Sequence, residues 1–212
     1  MGGRGAGSGG GLPTGGGGGG GDVISTTNLS SERETYRSEV DQVLTVARDI
    51  QRDYGVIAND LQVAVMTPGS TAMAYYDSSG NVAINRTYFN DAKIQQAYDN
   101  SIQSGFHPSN GSKTAMEAVA AHEMGHLLTA QAAERVGDRA WDVKTAKTIV
   151  NRAVKSAGVK DAKTLANRIS GYAKTNYAEC IAEAFSDVYC NGRNARREST
   201  AVVNELNRYF GR

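Results

Sequence analysis

His122 and His126 stand four positions apart in the run His122-Glu123-Met124-Gly125-His126, and a helix is the local structure that brings two side chains so spaced to one face. The chain is thereby committed to a helix through this pentapeptide. Histidine is scarce, with three in 212 residues, at 107, 122 and 126, and two of the three fall here. Imidazoles one turn apart can share a metal ion, and Glu123 lies close enough to hold a water beside it. The flanks agree. Thr114-Ala-Met-Glu117 has capping-box spacing, residues 115–121 are strong helix formers, and Gly137 offers a stop. Gly125 costs a helix about 1 kcal/mol relative to alanine. Its presence points to a close approach by another backbone or by a substrate.

A second run, Tyr172-Ala-Lys-Thr-Asn-Tyr-Ala-Glu179-Cys-Ile-Ala-Glu183, opens another predicted helix over 176–190, with Ile181, Ala184, Phe185 and Val188 at helical spacing. Glu179, Glu183 and Asp187 follow one another at intervals of four and make one acidic stripe. Such a stripe is ordinarily a solvated face. Here Ala178, Cys180, Ile181, Ala182, Ala184 and Phe185 surround it, and buried carboxylates need a partner or a metal. A catalytic zinc takes three protein ligands and keeps one position open. Glu179 is the candidate third ligand beside His122 and His126. Glu183 is the candidate support, accepting the free ring N–H of a ligand histidine, and Asp187 is the lesser candidate for that place.

The pattern Tyr172-x-x-Thr175-Asn176-x-x-Glu179-x-x-x-Glu183-Ala184-Phe185, downstream of His-Glu-x-x-His, resembles the gluzincin metalloprotease domains of the anthrax lethal factor type and the related zincin domains of bacteriophage and polymorphic-toxin proteins. The match covers roughly residues 114–190. A second resemblance is to short-motif zincins that cleave phage or stress repressors with a His-Glu-x-Gly-His core; the Tyr172–Glu183 pattern favours the first. The resemblance implies a zinc-dependent endopeptidase with His122, His126 and Glu179 as ligands and Glu123 as the base. Tyr172 would stand near the substrate carbonyl, with Glu183 behind a ligand histidine. Zinc lowers the pKa of a water it holds to about 7 and polarises the scissile carbonyl. Glu123 would move the proton and Tyr172 would donate to the developing oxyanion. Tyr172 is one of ten tyrosines, so without the pattern it reads as core packing. The substrate does not carry over, because the toxin has targeting domains that this chain does not match. His-rich sets also accept manganese or cobalt.

With 40% apolar residues, the chain is long enough for one cored domain, placed at 22–212. A net charge of +1 gives no electrostatic footing for a nucleic-acid partner. Arg193, Arg196 and Arg197 read as solvated surface. Cys180 and Cys190 lie too far apart along one helix to form a disulfide; Cys180 reads as a buried thiol beside the site rather than a ligand. No run has transmembrane length, no apolar stretch follows the N-terminus as a secretory signal requires, and Ala6 breaks the myristoylation pattern. These features predict a cytoplasmic protein without a membrane partner, unless another system exports it or it travels in a virion. Residues 1–21 hold 14 of the 25 glycines, a composition that predicts a flexible coil.

The folded part is expected to begin near Ser30. A capping box at Ser31–Glu34 introduces a helix with the stripe Tyr36, Val40, Val43, Leu44, Ala47, Ile50 and Tyr54, closed by Gly55. Strands follow at 61–66, 72–76 and 81–85, the last two joined by the turn Asp77-Ser-Ser-Gly80. Further helices are predicted near 88–103, 141–157, 161–170 and 197–210. The expectation is an α+β minimal zincin: a small, mainly antiparallel sheet, an active-site helix and a helical C-terminal half. Its cleft runs between sheet and helix, with strand 81–85 as the edge that holds an extended protein or peptide substrate. His107 could join the cleft, because its loop precedes the site helix, but a plain surface histidine is the first reading. Two rival classes are a non-catalytic zinc-binding module and a virion-associated structural protein. The oligomeric state is left open.

Overall fold

The computed structural model describes Leu12, residues 23–140 and residues 143–212. The glycine-rich coil expected at 1–21 therefore lies outside the described residues except at Leu12. That side chain is buried, and its N–H donates to the Tyr177 hydroxyl at 3.2 Å. The elements are β1 (Val23–Asn28), α1 (Arg37–Tyr54), β2 (Asp60–Met66), β3 (Ala74–Tyr76), β4 (Asn81–Asn85), α2 (Asp91–Gln103), α3 (Ala115–Arg135), α4 (Val143–Ala157), α5 (Ala162–Ile169), α6 (Tyr177–Asn191) and α7 (Arg197–Asn207). The class is α+β with a helical C-terminal half, as the hydrophobic periodicities predict.

The sheet runs in the order β1-β2-β4-β3, with β2 and β4 parallel and the two outer pairings antiparallel. This corrects two expectations. Strand β4 is interior, so Asn81–Asn85 is not the edge. The hairpin partner β3 is an edge instead, because β4 inserts beside β2 and leaves β3 with a single neighbour; β1 is the other edge. Strand β1 was not anticipated. All six of its residues are exposed, so it lacks the alternation by which a half-buried strand is read. At the turn, Asp77 Oδ1 accepts from the N–H groups of Ser79 and Asn81. Gly80 takes φ +81°, a conformation that favours glycine.

The predicted capping box at Ser31–Glu34 does not form. Those residues fall in and beside a 3-10 turn, Leu29–Glu32, capped by Asn28, and α1 begins later, at Arg37. Glu32 instead pairs with Arg86, a long-range ion pair that no local pattern encodes. The apolar stripe of α1 is as expected, with Val40, Val43 and Ile50 buried. The capping box at Thr114 is complete on both sides. It starts α3, which is buried nearly all round. Residues 141–142 of the predicted 141–157 helix lie outside the described residues. In α7, Val202 and Leu206 are fully buried, while Phe210 follows in a 3-10 turn and only partly covers the core. Among the described residues no helix is long and apolar enough to cross a membrane.

The α3–α6 crossing fixes the geometry of everything that follows. A Cβ placed on Gly125 would stand 2.8 Å from Ala182 Cα and 3.2 Å from Phe185 Cβ. The close approach expected at Gly125 is therefore made by the backbone of α6. Gly125→Ala should gain helix propensity, about 1 kcal/mol, and lose more to overpacking, roughly 1–3 kcal/mol. The two helices should also spread. A net fall in unfolding free energy together with weaker metal binding is the expected result. Equal stability and equal metal affinity would mean that the crossing yields freely.

A candidate metal centre between α3 and α6

Side chains from α3 and α6 meet in a cleft of about 430 Å³. His122 and His126 project from one face of α3, as their spacing requires. Glu179 comes from the first turn of α6, which starts there because Asn176 caps it, its Oδ1 accepting the Glu179 N–H at 2.9 Å. The three donor atoms form a near-equilateral triangle. His122 Nε2 lies 3.1 Å from Glu179 Oε2, the two Nε2 atoms are 3.2 Å apart, and His126 Nε2 lies 3.3 Å from the same carboxylate oxygen. A tetrahedral ion with ligands at about 2.0–2.1 Å has donor–donor edges of about 3.3 Å. The group can hold a metal ion, and two imidazoles with one carboxylate suit zinc and its first-row neighbours better than magnesium or calcium.

Electrostatics agree with that geometry. Burial raises the Glu179 carboxyl, but the imidazoles of His126 and His122 outweigh it, and the group is held far below the ordinary carboxylate range. Burial alone would depress His122; its contacts with Glu179 and Glu183 reverse the sign. Glu179 is therefore a buried carboxylate paired with imidazole, and such a pair is costly to take out of water unless its geometry is close.

Behind it sits Glu183, where sequence placed it. His122 Nδ1 is 2.8 Å from Glu183 Oε1. The carboxylate is off the axis of the ring N–H, so the contact is close without being a straight hydrogen bond. Ser170, which no sequence pattern marks, and His107, for which the cleft is the lesser of two readings, complete the arrangement. Ser170 Oγ donates to Glu183 Oε2 at 2.7 Å and accepts the Ala173 N–H at 2.9 Å. His107, expected at the surface, lies in the cleft wall with Nδ1 2.9 Å from Glu183 Oε1. Burial raises Glu183, yet His107 and then His122 bring it down to about 2, so it stays ionised. Asp187 does not join the site. Its oxygens accept from Asn191 Nδ2 and the Arg196 N–H, because one more turn of α6 carries it about 6 Å beyond Glu183.

Glu123 lines the cleft and is 6% exposed. Its carboxyl is pushed up by burial, opposed by the two histidines and reinforced by Glu179 and Glu183. Tyr172 stacks on His122, with ring centroids 5.7 Å apart and planes at 17°, and on Phe106 at 5.0 Å. Burial, then the charges of Glu179 and Glu123, hold its hydroxyl well above the ordinary value, so it remains a hydrogen-bond donor at neutral pH. Across the cleft, Tyr76 of β3 stacks on His126 with centroids 6.5 Å apart, and residues 71–76 form that wall. Cys180 is buried and unbridged, and burial followed by the Glu183 charge keeps its thiol protonated. Cys190 is likewise free. Compared with protein-family models, with curated proteins and with solved structures, the chain gives no match.

Proposed function

We propose that this chain is a zinc-dependent metalloendopeptidase of the gluzincin type, acting on peptide bonds of a protein substrate. The observation that carries the reading is the triangle of His122, His126 and Glu179 with Glu123 in the same cleft. The donor distances match a tetrahedral ligand face, and a carboxylate of raised pKa beside them is what a proton shuttle needs. Bound zinc supplies a Lewis acid that polarises the scissile carbonyl and makes a water nucleophilic at neutral pH.

The chain's own residues do the rest. Glu123 accepts the proton of the attacking water and returns it to the leaving amine. Tyr172, kept protonated by its surroundings, donates to the oxygen on which charge develops. Strand β3 is a sheet edge and borders the cleft, the position at which an extended substrate can add as a further strand. The role assigned to β4 from sequence passes to β3. A phage-borne or toxin-type setting rests on the sequence resemblance alone.

The direct experiment incubates the zinc-loaded protein with a proteome-derived peptide library and reads new termini by mass spectrometry. Chelator-sensitive cleavage is expected. An absence of new termini with zinc bound would leave a metal-binding module and overturn the enzyme reading. With a cleaved peptide in hand, Tyr172→Phe should lower kcat roughly 10²-fold or more at unchanged metal content. Unchanged turnover would remove Tyr172 from the reaction.

A further inference from the structure

His107 is the third histidine of a chain that has three, and it is tied to the centre by two independent sets of contacts. Its backbone neighbours are locked onto the turn that carries Tyr172: Gly171 N–H donates to Gly105 O at 2.7 Å and Tyr172 N–H donates to Phe106 O at 2.9 Å. Its ring lies flat on Tyr98, with planes 2° apart and centroids 5.4 Å apart. That stacking fixes the ring plane, and Nδ1 then meets Glu183 Oε1 at 2.9 Å. The same oxygen faces His122 Nδ1. An ionised carboxylate accepts only, so Nδ1 of His107 is the protonated nitrogen.

We propose that His107 is a positioning residue of the metal centre: its Nδ1–H clamps Glu183 against His122 and so aims His122 Nε2 at the ion. Ser170 holds the other carboxylate oxygen at 2.7 Å. Glu183 is thus gripped from both ends, and without His107 the oxygen that faces His122 loses its only straight donor among the described side chains. A carboxylate directly behind a ligand histidine sets its orientation, and its loss costs about 10–100-fold in metal affinity; His107 acts through that carboxylate, so its own loss falls at the lower end of the range. This role rests on the metallopeptidase reading of the same site.

The test measures zinc affinity by chelator competition and the visible spectrum of the cobalt(II) form. It compares wild type with His107→Phe, which keeps the ring on Tyr98 but has no N–H, and His107→Asn, whose amide N–H reaches towards the place of Nδ1–H. Affinity should fall about tenfold in His107→Phe, with an altered cobalt spectrum, and return to within about threefold of wild type in His107→Asn. Wild-type affinity and spectrum in His107→Phe would overturn the role, as would His107→Asn binding no better than His107→Phe. Should either variant fail to fold, nitrogen-15 NMR of wild type decides. Three histidines are readily assigned, and His107 must be the Nδ1–H tautomer; the Nε2–H tautomer overturns the clamp. If wild type itself binds no divalent metal, the metallopeptidase reading fails and this role fails with it. Metal binding that ignores His107 overturns the clamp alone.

Discussion

Replacing Glu179 by alanine should empty the metal centre. Purified wild type is expected to carry about one zinc per chain, the stoichiometry of a single three-ligand site, and the variant a small fraction of that. Glu179 is 2% exposed, and its Oε2 closes the triangle with both imidazoles. Truncation leaves two nitrogens, and among the described residues no other group of three such donors forms. Structural zinc sites bind with apparent free energies of about 10–16 kcal/mol over their ligands, so losing one strong ligand should weaken binding by roughly a hundredfold or more. A second readout follows from linkage. Because the ion joins α3 to α6, zinc at a thousandfold excess over its Kd should stabilise the wild-type fold by about 4 kcal/mol, and chelator should lower its melting temperature. Glu179→Ala should show almost no response to either. Metal content by atomic emission and melting curves with zinc and with chelator check both halves. A variant that keeps its zinc and its zinc-dependent melting shift would move the third ligand to another residue.

The parts of this molecule legible in sequence are those written within one or two helical turns. His122 and His126 share a face because they are four apart; Glu179 and Glu183 share one for the same reason, and their small, apolar neighbours announced burial. Long-range partners were not legible. His107 meets Glu183 across 76 positions; its loop leads into the site helix, which allowed a place in the cleft, but no local pattern names Glu183 as its partner. A usable signal was present at the other end of the contact. A buried carboxylate has about four lone-pair sites, and one imidazole leaves most of them unfilled, so Glu183 required further donors such as Ser170 and His107. Strand order failed for the same reason. The hairpin turn at 77–80 is local and was readable, but the parallel β2–β4 pairing that buries β4 and leaves β3 at the cleft is decided by tertiary packing. Asp187 shows the reverse error: a helical stripe extended one turn too far along α6.

Glu123→Gln separates binding from chemistry more cleanly than any other change at this centre. Glutamine has nearly the same shape and fills the same buried position, so His122, His126 and Glu179 keep their triangle and metal content should be unchanged. What is lost is the ability to take up and return a proton. Positioned proton transfer is worth about 10²–10⁴-fold, and kcat on any cleaved peptide should fall by that factor with little change in KM. Stability should not fall. Glu123 shares its buried surroundings with the carboxylates of Glu179 and Glu183, and burial together with those charges already pushes its proton affinity up. A neutral amide there removes a desolvated like charge, so the melting temperature should hold or rise slightly. The combination is diagnostic. Full metal, an intact fold and cleavage reduced to the background of a metal-bound but baseless site identify Glu123 as the proton carrier. Retained cleavage would assign the proton to another group in the cleft, and Tyr172, held protonated against the same carboxylates, is unsuited to take it.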